Sequence, residues 1–173
     1  MKKLIFMSIA LLLLCSCGNN KVYVPSKFPD QLNRQQYSFA IPYIEKNKSI
    51  IVRVRLNGGP EFQGVWDSGC SVPIKISRLE ADALFKNKTL SYSDYQSKIA
   101  LTVANGQTDY CDVYKLKSVS FVDTDGNEHV VNNVNVVIDD NANTEILIGL
   151  PIMQELGDSQ QISTFDQAIY FKD

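Results

Sequence analysis

The sequence predicts a mainly β domain with one or two short helices, and three features carry that prediction. From Ser49 to Leu56, Ile51, Arg53 and Arg55 alternate with Val52, Val54 and Leu56, the period of a strand with one buried and one wet face. Asn-Gly pairs at Asn57-Gly58 and Asn105-Gly106 stand between β-rich runs, where they favour tight hairpin turns. The chain closes on Ile162 to Phe165 and Ala168 to Phe171, two β-branched and aromatic runs around Asp166-Gln167.

Taken in order, the chain of 173 residues opens with Met1-Lys2-Lys3 and an apolar run from Leu4 to Leu14. That run is too short to span a bilayer and has the form of a signal segment. The following Leu14-Cys15-Ser16-Cys17-Gly18 resembles a bacterial lipoprotein signal, with small Ser16 directly before Cys17; cleavage as an ordinary secretory signal is the alternative. The lipoprotein resemblance implies a signal peptide over 1–16, lipid on Cys17, and a protein anchored outside the cytoplasm in a bacterial cell envelope through that lipid. Residues 17–36, polar and carrying Pro25 and Pro29, read as a flexible tether, which leaves 37–173 as one domain.

Within the domain, Ser38 to Tyr43, Ser49 to Leu56 and Glu61 to Trp66 are the first three expected strands. Ser77 to Phe85 is a short helix with Ser77 as N-cap and Glu80 three residues on. Asn87 to Lys98, polar and spotted with Tyr92 and Tyr95, reads as an exposed loop. Ile99 to Val103 and Thr108 to Lys115 form a hairpin around Ala104-Asn105-Gly106-Gln107. Lys117 to Val122 and Glu128 to Val131 are strands around the turn at Asp125-Gly126, and Val134 to Ile138 is another. Ile146 to Ile148 leads into Gly149 and a helix over Leu150 to Leu156, with Pro151 tolerated in its first turn.

The stretch that carries chemistry is Val65-Trp66-Asp67-Ser68-Gly69-Cys70-Ser71, an Asp-Ser-Gly at the end of an apolar run. By residue type alone it reads as a strand-ending turn, because Asp, Ser and Gly all favour turns. Its order with the two Asn-Gly hairpins and the late Ile148-Gly149 resembles the retropepsin-like aspartic proteases, in their single-lobed bacterial form, over about residues 38 to 171. The resemblance implies a closed β-barrel and an aspartic endopeptidase without cofactor or metal. It makes Asp67 the catalytic carboxylate, has Gly69 offer its N–H to that carboxylate, and has Ser68 bond across a dimer. It also makes Ala104, Asn105, Gly106 and Gln107 a flap over a peptide or protein substrate, and has the strand-Gly-helix at Gly149 back the catalytic loop. Two carboxylates must share a proton in this chemistry and the chain offers one matching Asp, so a homodimer pairing Asp67 with Asp67 is expected. The aromatic terminal hairpin, with Phe165, Ile169, Tyr170 and Phe171, is its expected interface. Trp66 is bulkier than the aliphatic residue usual before the Asp, and Cys70 stands where a small residue is usual.

Other chemistries find few residues to use. Asp123-Thr124-Asp125-Gly126 imitates a second catalytic motif, but Asp125 occupies the glycine position and the segment reads as a hairpin turn. His129, the only histidine, gives no support to a Ser-His-Asp triad or a multi-histidine zinc site, and reads as a surface residue. Gly58-Gly59-Pro60 lacks the Lys-Ser/Thr of a phosphate loop. A net charge of −2 without a basic cluster argues against nucleic acid as partner. Once Cys15 and Cys17 are set aside, Cys70 and Cys111 are either a disulfide or two small buried thiols. Two further functions compete with the protease: a protease-like domain that binds peptide without cutting, and a structural envelope lipoprotein.

Overall fold

Among the described residues, ten strands and two α-helices follow one another from Phe39 to Lys172: β1 (Phe39–Lys46), β2 (Ser49–Leu56), β3 (Glu61–Asp67), β4 (Ile74–Ser77), α1 (Arg78–Lys86), β5 (Tyr95–Thr102), β6 (Thr108–Val122), β7 (Glu128–Asp139), β8 (Ile146–Gly149), α2 (Leu150–Leu156), β9 (Ser159–Ser163) and β10 (Ala168–Lys172). The computed structural model describes residues 34–102, 106–140 and 145–173. The signal at 1–16, Cys17, most of the tether, and Ala104 and Asn105 lie outside the described residues.

The strands hydrogen-bond in the order β5-β6-β7-β4-β8-β3-β2-β1-β10-β9, and a further pairing of β6 with β2 closes the six from β6 to β2 into a barrel. The expected mainly β class and closed barrel are therefore present. Asn57 seals the closure. Its backbone enters the left-handed region at φ 51°, followed by Gly58 at 64°, the two positive φ values of a tight hairpin turn. Its side-chain carbonyl accepts from the N–H groups of Lys117 and Ser118 at 2.6 and 3.1 Å, and its amide donates to the Thr89 carbonyl at 2.7 Å. One turn residue thus joins β2, β6 and the segment after α1.

The core is filled from all six strands of the ring and from β1 and β10 beside it, with Leu56, Ile74, Ile76, Leu116, Phe121, Ile138, Ile148 and Phe171 fully buried. Val52, Val54 and Leu56 point into it while Arg53 stays exposed and Arg55 half-exposed, as the alternation predicts; Ile51 is buried as well, under the β1 partner Ile44. Ser77 caps α1 by accepting from the N–H of Glu80, whose carboxylate accepts from the N–H of Ser77 at 2.9 Å.

Four expectations are corrected. Tyr95 to Lys98 belong to β5 rather than to a loop, because β6 runs far enough to pair with them; both their faces are exposed, so no period marks them. The expected breaks at Leu116 and at Asn132-Asn133 do not occur, and β6 and β7 stay paired through one register from Asp112↔Ile138 to Val122↔Glu128. β4 is a strand that the sequence reading lacks, held between β7 and β8. In the terminal hairpin, Ile169, Tyr170 and Phe171 are buried within the chain, since β10 lies between β1 and β9. Among the described strands β5 and β9 are the outer ones; Ile162 on β9 is 44% exposed, and Phe165, in the turn that follows, 86%.

His129 is likewise no loose surface group. Its ring stacks on Phe39 with centroids 3.6 Å apart, and Nε2 lies 2.8 Å from Asp123 Oδ2. The other oxygen of Asp123 accepts from the N–H groups of Asp125 and Asn127 at 2.9 and 2.8 Å, which makes this Asp the organiser of the β6–β7 turn. Burial raises its pKa, but the bonds from His129, Asn127 and Asp125 outweigh burial and hold it at about 2. An unfolded Asp titrates near pH 4, so this carboxylate stabilises the fold above that value and the contribution is lost as pH falls through about 2. Asp123→Asn should accordingly lower the melting temperature most at about pH 5, and the gap from the parent should close towards about pH 2. Thermal melts at both values measure it, and a gap independent of pH would refute the charged role.

Candidate active site

The site is built where β8 enters between β3 and β4. β3 and β8 run parallel, with Asp67 opposite Gly149, while β4 lies on the other side of β8. Residues 68–73 must therefore arch over the end of β8. Gly149 donates to the Pro73 carbonyl and Leu150 to the Cys70 carbonyl, both at 2.9 Å. A Cβ on Gly149 would stand 2.0 Å from the Val72 oxygen and 2.7 Å from that of Cys70, so only glycine fits beneath the arch.

Alternation along β3 sends Trp66 inward and Asp67 outward. Trp66 is 8% exposed and packs edge-on against Phe121 and Phe171, with centroids 6.0 and 5.9 Å away. Its indole N–H donates to Gln160 Oε1 at 3.0 Å. Asp67, half-buried, accepts from the Gly69 N–H through Oδ1 at 2.9 Å, and its carbonyl accepts from the N–H of Cys70 at 3.1 Å. Oδ2 and the exposed Ser68 hydroxyl make no hydrogen bond among the described residues. One oxygen is thus fixed by the backbone while the other is free to meet water or a ligand, the state a general acid or base requires.

Cys70 and Cys111 are free thiols, so the disulfide alternative is not realised. Burial raises the Cys70 pKa first of all; a backbone hydrogen bond with Val72 and the charge of Lys75 act against it, and Asp67 adds to it. A thiol so placed stays protonated at neutral pH and is a poor nucleophile. Behind it, Lys75 of β4 is buried and bonded to Asp139 at the end of β7 at 3.0 Å.

Of the residues expected to form a flap, Gly106 and Gln107 are exposed at the tip of the β5–β6 hairpin, with Gly106 at φ 83°. Beneath the hairpin, Cys111, Val113 and Val137 form a small apolar cluster that also takes in Ile99, Leu101 and Val72. Val72 belongs to the Asp67 arch, so hairpin and arch share one packed layer. The sequence reading missed Lys75 and Gln160. Neither carries a local signal, because their partners lie 64 and 94 positions away.

The sequence matches no protein-family model and no curated protein. Among solved structures, the chain is similar to the crystal structure of a retropepsin-like aspartic protease from Rickettsia conorii, at 16% identity and a TM-score of 0.49, over 76% of this chain and 88% of that one.

Proposed function

We propose that the chain is an aspartic-type endopeptidase whose active form is a homodimer pairing Asp67 from each copy. The observation that carries the reading is the Asp67 carboxylate itself, with Oδ1 on the Gly69 N–H and Oδ2 unbonded, on an arch locked by Gly149 and Leu150. Hydrolysis by this route needs one ionised and one protonated carboxyl sharing a water, so that one takes a proton from water while the other gives one to the scissile carbonyl. Two-fold pairing supplies the second Asp. The outer edge of β9, with Ile162 exposed on the strand and Phe165 exposed in the turn after it, is a strand edge available for a second copy.

Peptide hydrolysis over a dilution series tests this. Specific activity should fall on dilution, and the pH profile should be bell-shaped and centred in the acid range. A sedimenting monomer with undiminished activity would exclude the paired mechanism. A second reading, a peptide-binding domain that does not cut, draws on the same free Oδ2 and the apolar layer beside it; an inactive monomer that still binds peptide would favour it.

A further inference from the structure

We propose that Gln160 is a positioning residue that couples the open edge of β9 to the Asp67 loop. The inference rests on the assignment of Asp67 as the working carboxylate. Gln160 sits on β9 opposite Phe171 of β10, and its amide reaches past that strand to two elements of the site. Oε1 accepts from the indole N–H of Trp66, the residue directly before Asp67, at 3.0 Å. Nε2 faces Met153 Sδ at 3.5 Å, on α2, the helix whose start donates to the Cys70 carbonyl.

The amide therefore touches both supports of the arch, the strand that delivers Asp67 and the helix that follows Gly149. Trp66 is also packed in the buried core, edge-on against Phe121 and Phe171, and among the described residues the bond to Gln160 is the one directional contact its indole N–H makes. The hydrogen bond adds a directional hold on the side chain directly before Asp67, where β3 ends. Because β9 is also an outer strand of the sheet, a strand added there by a second copy bears on the segment that contains Gln160. Docking at the edge and orientation of the carboxylate become one event.

The test uses Gln160→Met, which keeps length but removes the amide, Gln160→Glu, which keeps an acceptor, Trp66→Phe, and the Trp66→Phe/Gln160→Met double variant. Gln160→Met should lower kcat about tenfold with KM within about twofold, and should displace the pH profile, whereas Gln160→Glu should restore most of the rate. The double variant should be no slower than the slower single, because both remove the same bond. Parental kcat and pH profile in Gln160→Met, or additive losses in the double variant, would overturn the proposal. Carboxyl-carbon NMR titration of Asp67 separates this idea from the protease reading. If the parent cuts no peptide, the protease reading fails, while a displaced Asp67 titration in Gln160→Met still supports the coupling and superimposable curves reject it.

Discussion

Asp67→Asn should abolish peptide hydrolysis while leaving the fold intact. The carboxamide oxygen can still accept the Gly69 N–H that Oδ1 accepts at 2.9 Å, so the turn keeps its organising bond. What the amide cannot do is take up or release a proton, and a positioned acid or base contributes typically 10²–10⁴-fold. A loss of about a thousandfold or more in kcat/KM is expected, since each dimer would lose both carboxyls at once. Melting temperature and circular dichroism should match the parent. A variant that cuts at the parental rate would remove Asp67 from the mechanism, and with it the case for a paired active site.

The second large effect is expected at Gly149. In Gly149→Ala the new methyl would sit 2.0 Å from one carbonyl oxygen and 2.7 Å from another, both in backbone that has no rotamer to change. Either β8 drops back or the arch lifts, and in each case the hydrogen bonds from Gly149 and Leu150 to the arch are stretched. Overpacking costs typically 1–3 kcal/mol and each lost bond about 1 kcal/mol, so a destabilisation of about 3 kcal/mol or more follows. For a domain of this size that is a fall of about 10 °C in Tm. Activity should drop further than stability, because the displaced backbone carries Asp67. An alanine variant with parental Tm would show that the arch is not seated on Gly149.

What was legible in the sequence is what depends on neighbours in the chain. The Asn57-Gly58 turn, the Ser77 and Glu80 cap and the Pro151 helix start are each set by residues within four positions, and each forms where local chemistry places it. The Asp67-Ser68-Gly69 turn is of the same kind, and the bond from Gly69 to Asp67 spans two positions. Features made by distant pairing were not legible. β4 offers only Ile-Lys-Ile-Ser, and its central lysine reads as surface until Asp139 arrives to neutralise it. Gln160 looks like any polar residue on an exposed strand, and nothing near it announces the indole it holds. The terminal aromatics pattern as an interface because burial inside the chain and burial between copies demand the same residue types.

The pairing of β1 with β10 sets an order on events in the life of the chain. Phe39 lies opposite Phe171 and Pro42 opposite Ala168, so the first strand of the domain takes one of its two neighbours from the last strand. While the chain is still being made, β2 to β8 can close their ring, yet β1 has only β2 to hold. His129 stacks on Phe39, and Phe39 in turn stacks on Phe171 at 4.8 Å, so the turn between β6 and β7 also waits for β10. Trp66 waits with them, for one of its two ring contacts is Phe171 and its hydrogen bond is to Gln160. A nascent domain that has not yet formed β9 and β10 would hold the Asp67 loop without the packing that aims it, and the site matures when those two strands dock.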